Sequence, residues 1–207
     1  MASLRQPIEE GEITVLRAKH SLTLPARFTL VAATNPCPCG FYGDPEKKCT
    51  CTSSQIQMYR RKLSGPLMDR IDLFINVPSL KYEKLASIDE ESCSTKIRER
   101  VKRAREIQRE RFLKDYSPPT ASFRSLREWA PKFLTNSEME IPQIKKYCQI
   151  DSKSRNLLRN YIDSGKLSAR GYHRVLKVAR TIADLDNSGN ISFNHLSEAL
   201  MYRVRED

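Results

Sequence analysis

Two closely spaced cysteine pairs, Cys37-Pro38-Cys39 and Cys49-Thr50-Cys51, restrict this chain more than any other feature. Four thiols so arranged offer the tetrahedral set of soft donors that zinc prefers, and Gly40, Gly43, Asp44 and Pro45 between them let the backbone fold back. Four protein ligands leave no open coordination position, so such a metal would be structural rather than catalytic. Each pair is C-x-C, tighter than the usual C-x-x-C, and disulfides or unligated thiols are the competing uses of the same residues. The sequence has no apolar run of membrane-spanning length and no secretory signal, which predicts a soluble, cytoplasmic chain and weighs against disulfides.

The flanks of this loop read as elements of an α/β fold. Phe28 to Ala33 is a short uncharged run that predicts a strand buried on both faces, ended by Thr34-Asn35-Pro36 because proline cannot continue a central ladder. Asn35 then stands at the carboxyl end of a strand, where open α/β sheets bind ligands; it is a candidate to orient a phosphate or an attacking water, or else forms an Asx turn. After the cysteines, Ile56, Tyr59 and Leu63 repeat on one helical face until Ser64-Gly65-Pro66. Arg70 precedes a second expected buried strand, Leu73 to Val77, and could either be presented by that scaffold or pair with Asp69 or Asp72. Upstream, Leu4 to Glu10 predicts a helix stopped at Gly11. Residues 12–17 and 21–25 alternate apolar and polar side chains, the pattern of a hairpin with Arg17, Lys19 and His20 near its tip.

Beyond Pro78 the composition changes. From Lys96 to Arg111 eight basic and three acidic residues surround a thin apolar stripe of Ile97, Val101, Ala104 and Ile107, which predicts a long amphipathic helix with a basic outer face. Such a face is usually solvated, and with the chain's net charge of +11 a contact to a DNA or RNA backbone is its second use. Ser117-Pro118-Pro119-Thr120 marks a loop. Trp129 and Phe133 are expected in a small core, and Cys93 and Cys148 as buried thiols. Asp151 or Ser152, Ser168 and Ser192 can each cap a helix, with Gly165 just past the end of the first. Tyr172, Val175, Leu176, Ala179, Ile182 and Ala183 share a face of the second, and Arg170 lies in its first turn away from them, able to complete a phosphate site or to form a structural salt bridge.

Four stretches, in order, carry a family resemblance: Leu4-Arg5-Gln6-Pro7-Ile8-Glu9-Glu10-Gly11, Ala32 to Gly40, Leu63 to Asp72, and Leu167-Ser168-Ala169-Arg170 with Val178 to Leu185. In combination they resemble the AAA+ ATPases related to the magnesium chelatase ATPase subunit, and among these the ComM/YifB-type proteins. The resemblance implies the C-terminal part of an AAA+ core over residues 1–79, holding the hairpin, Asn35 as sensor 1, a zinc loop at 36–52 with Cys37, Cys39, Cys49 and Cys51, and Arg70 as an arginine finger acting in trans. It implies a basic helix and linker over 80–120, and over 121–207 an all-helical lid like the magnesium chelatase C-terminal domain, with Arg170 as the sensor 2 contact to an ATP phosphate. ATP and Mg2+ would be the cofactors of the full-length protein besides structural Zn2+, a ring, hexameric in form, its assembly, and DNA its remodelled or translocated partner, with no membrane involved. A metal-chelatase motor and a non-enzymatic zinc-containing nucleic-acid-binding protein are the alternatives. The chain departs from the pattern in one respect: it holds no G-x-x-x-x-G-K-[ST] and no Walker B acids, so it reads as a C-terminal fragment expected to be inactive alone.

Overall fold

The computed structural model of the chain describes residues 4–17, 20–63, 70–78, 94–114 and 134–203. Contacts divide the chain into two units, residues 1–71 with 76–81 and residues 72–75 with 82–207. Helices dominate this α/β chain, and among the described residues the sheet is one two-stranded hairpin.

In the first unit, α1 (Arg5–Glu10) ends at Gly11, whose φ of 67° is left-handed and whose amide donates to the Pro7 carbonyl at 3.0 Å. Glycine adopts that conformation without a Cβ penalty, so the chain reverses at once into β1 (Glu12–Arg17). β2 (His20–Pro25) returns antiparallel, with Glu12 opposite Pro25 and Arg17 opposite His20, and the Ala26 amide donates to the Gly11 carbonyl at 2.7 Å to close the base. The hairpin forms as its alternation predicts, yet Ile13, Val15, Leu22 and Leu24 are all exposed. α2 (Ser53–Leu63) begins directly after the cysteine loop. Its start is a reciprocal cap that the sequence reading did not register: the Gln55 amide donates to Thr52 Oγ1 at 3.3 Å while the Thr52 amide donates to Gln55 Oε1 at 2.9 Å.

Two expectations fail here. Residues 28–33 and 73–77 carry no regular secondary structure, and neither is a buried strand. Phe28 is 49% exposed, Val31 89%, Ile75 70% and Val77 80%. A central strand needs ladder partners on both edges and cover on both faces, and no described segment offers either run a partner. The Phe74 amide donates instead to the Tyr202 carbonyl at 2.8 Å, within the second unit. Lys19, Ser64 to Pro66, Asp69, Cys93, Ser117 to Thr120, Trp129 and Phe133 lie outside the described residues.

The second unit is helical: α3 (Ser94–Lys114), a 3-10 turn at Asn136–Glu138, α4 (Ile141–Tyr147), α5 (Ser152–Asp163), α6 (Ala169–Leu185) and α7 (Phe193–Met201). Asp151, Ser168 and Ser192 cap α5, α6 and α7 by accepting from the amides of Ser154, Gly171 and His195. α6 is the central element; Val175, Leu176, Ala179, Ile182 and Ala183 are buried at helical spacing against Leu158 of α5 and Leu196, Ala199 and Leu200 of α7. Phe112 of α3 joins this core and meets Tyr147 edge-on at 5.8 Å, and Cys148 is buried as expected.

A buried polar network docks α3 to α6. The Asp184 carboxylate is fully buried and ion-paired to both Arg111 and Arg180, while Asn136 donates to it at 2.8 Å and to Thr181 Oγ1 at 3.1 Å. Arg111 donates to Asn136 Oδ1 at 3.0 Å, Gln108 Oε1 accepts from the Asn136 amide at 3.2 Å, and Arg180 also reaches the carbonyls of Gly189 and Ser188 at 2.8 and 2.5 Å. Burial lowers the pKa of Arg180, an effect opposed by the Asp184 charge. A charge this deep persists only when paired and hydrogen-bonded, which this set achieves.

Candidate functional site

The two cysteine pairs meet. Cys37 and Cys39 Sγ are 3.4 Å apart, Cys37 and Cys49 3.7 Å, Cys39 and Cys49 3.5 Å, and the four thiol sulfurs, Cys51 included, lie within 4.8 Å of one another. A tetrahedral zinc with Zn–S bonds of about 2.3 Å sets sulfurs about 3.8 Å apart, so this donor set fits the ion; all four are free thiols. The loop is built for this approach. Gly40 has φ 86° and donates its amide to the Cys37 carbonyl at 3.1 Å, turning the chain between the pairs, and Asp44 Oδ1 accepts from the amides of Glu46 and Lys47 at 2.8 and 2.9 Å in a second turn. Cys51 then stands next to Thr52, the cap of α2.

Four thiols at this distance cannot all ionise in the absence of a cation. Backbone amides of Phe41 and Thr50 draw the Cys39 thiol down to about 5, whereas burial and the neighbouring thiols push Cys51 up to about 12. A bound dication removes that conflict, because it favours the thiolate at every position.

Asn35 is exposed on the stretch leading into the loop, its amide nitrogen 3.9 Å from where a Cβ on Gly40 would stand; Thr34 beside it is hydrogen-bonded to Tyr59 of α2 at 3.1 Å. Arg70 is ion-paired with Glu9 of α1. Its side chain is only 9% exposed, against 41% for Glu9. Asp72, which was a candidate partner for Arg70, takes Arg174 of α6 at 2.5 Å within the second unit. Arg170 is exposed in the first turn of α6, one turn before Arg174 and off the buried face. The four cysteines are thus brought together, whereas Asn35, Arg70 and Arg170 each stand on a different stretch of the chain. Glu9 escaped sequence reasoning, since only the fold relates it to a residue 61 positions away.

A family model described as magnesium chelatase, subunit ChlI, matches residues 1–85, and one described as its C-terminal region matches residues 91–203. The chain belongs to the magnesium chelatase ChlI family. Competence protein ComM of Haemophilus influenzae is 39% identical over 203 residues, covering 98% of this chain and 36% of that relative. YifB of Escherichia coli K12 is 37% identical over 204 residues, again 98% of this chain and 36% of the relative, which sets the ChlI-family chain with the ComM/YifB-type members. Rv2897c of Mycobacterium tuberculosis is 36% identical over 204 residues, 98% of this chain and 37% of its own length. The chain therefore spans little more than a third of the curated relatives it matches.

Proposed function

We propose that this chain is the C-terminal part of an AAA+ ATPase whose ring, a hexamer, couples ATP binding and hydrolysis to remodelling or translocation of DNA. The observation that carries the reading is the pair of ChlI-family matches, running in family order through residues 1–85 and 91–203. Residues 1–79 supply the end of the ATPase core and residues 121–207 the lid; residues 80–120, with the basic helix, connect the two in sequence. Cys37, Cys39, Cys49 and Cys51 hold a structural zinc that ties the loop after Asn35 to the start of α2, and it supplies rigidity, not chemistry.

The chemistry assigned to this chain is positioning and charge neutralisation. Asn35 is the sensor 1 residue and orients the attacking water; Arg170 is the sensor 2 contact to an ATP phosphate; Arg70 is presented to the neighbouring subunit's nucleotide, where such an arginine is worth on the order of 10³ or more in rate. The phosphate cradle and the Mg2+ ligands come from outside the residues of this chain. In the conformation described, Arg70 is covered and paired to Glu9, so reaching a nucleotide requires leaving that carboxylate. The ATPase of the complete protein tests the assignment: Arg70→Ala should spare ATP binding and abolish turnover, yet be complemented in mixtures with subunits that lack the Walker lysine and keep Arg70. A complete protein without ATP turnover, or Arg70→Ala subunits that turn over normally, overturns it.

A further inference from the structure

The first three turns of α3 are exposed. Every residue from Ser94 to Arg103 is exposed, whereas Ala104, Gln108 and Phe112 are buried. The buried residues recur every four positions and define the face toward the second unit's core. Arg98, Lys102, Arg105 and Arg109 recur at i, i+4, i+7 and i+11, which places them within about 60° of arc on one flank of the helix, along about 16 Å of its axis. All four are exposed. Glu99, Glu106 and Glu110 form a separate line about 90° further round. None of these seven side chains forms an ion pair with a described residue, so the cations are not used to neutralise the glutamates beside them.

A line of four cations this long matches one kind of surface well. One strand of a nucleic acid carries a phosphate about every 3.4 Å, so the stripe faces about five phosphates. Arginine and lysine at such spacing neutralise phosphates without reading bases, and exposed, unpaired cations on a rigid helix need little rearrangement to do so. We infer that Arg98, Lys102, Arg105 and Arg109 of α3 form a backbone-gripping surface for DNA. The inference rests on the DNA reading given above and names the surface that serves it.

The test uses the complete protein and a mixed-sequence oligonucleotide, as single strand and as duplex, with affinity measured against salt. Replacing all four with alanine should lower affinity at low salt by at least tenfold. It should also flatten the slope of log K against log salt, by about three on the single strand and between three and four on the duplex. A control that removes three charges, K96A/R100A/R103A on the opposite flank, should change the slope little. Circular dichroism should be unchanged in both, since all seven positions are exposed. Equal losses in both variants would show general charge rather than a surface, and no loss in the quadruple variant would refute the stripe; either overturns the inference while leaving the DNA reading intact. Loss of the ring rather than of DNA affinity in the quadruple variant would assign the stripe to a neighbouring subunit and overturn it as well. Wild-type protein with no salt-sensitive DNA binding would instead remove the DNA reading itself.

Discussion

Cys39 shows how a single side chain is prepared for its partner by its surroundings. The amides of Phe41 and Thr50 stabilise its thiolate, and Cys37 and Cys49 stand 3.4 and 3.5 Å away. Protein purified without added metal should contain one zinc per chain by elemental analysis, and Cys39→Ser should lower that content sharply and increase amide exchange over residues 36–52. Four readily titrated thiols with no metal would contradict the assignment. Glu9 poses a different question, because its carboxylate cancels the charge that Arg70 would offer a phosphate. A partly exposed ion pair contributes about 0.2–1 kcal/mol, so Glu9→Gln should raise basal ATP turnover of the complete protein by up to about fivefold. A fall in turnover would mean that Glu9 holds Arg70 in its working position.

Among the helices, α3 and α6 are joined by the Asp184 network as well as by Phe112 in the shared core. Removing the carboxylate leaves Arg111 and Arg180 without their shared counter-charge, and Arg180 is buried. Breaking a buried pair in this way costs about 3–5 kcal/mol, so Asp184→Ala should lower the denaturant midpoint of the second unit far more than any exposed substitution on α3. Leu196→Ala, at a fully buried position of α7, sets the comparison at about 2–5 kcal/mol for a cavity in the same core. Equilibrium unfolding followed by far-ultraviolet circular dichroism measures both. An Asp184→Ala variant as stable as the parent would show that the network contributes no net stability.

The two units should respond separately. Chelation of the proposed zinc should loosen the first unit around the cysteine loop and leave the helical signal of the second intact, since the buried cluster of residues 112–200 contains no part of that loop. A cooperative loss of both would contradict this. The chain by itself should also bind ATP no more tightly than about millimolar: Asn35 and Arg170 supply at most a few hydrogen bonds of roughly 1–3 kcal/mol each, and no Walker lysine is present to hold the phosphates. Micromolar binding by calorimetry would place the nucleotide site elsewhere.

Local chemistry was legible without coordinates. Gly11 stops α1, Asp151, Ser168 and Ser192 cap their helices, and the alternation of residues 12–25 makes a hairpin, because each depends on residues only a few positions apart. The cysteine spacing likewise predicted that the two pairs could meet, with zinc, disulfides and unligated thiols as alternative uses, because nine intervening residues with two glycines let the chain fold back. The Glu9–Arg70 and Asp72–Arg174 pairs and the Asp184 network were not legible, for they join residues 61, 102 and 73 positions apart whose proximity depends on the fold. The apolar runs at 28–33 and 73–77 were misread for the same reason. An apolar run specifies a wish to be buried, but whether it becomes a strand is decided by neighbours that supply hydrogen bonds and cover, and only the tertiary structure determines whether those neighbours are there.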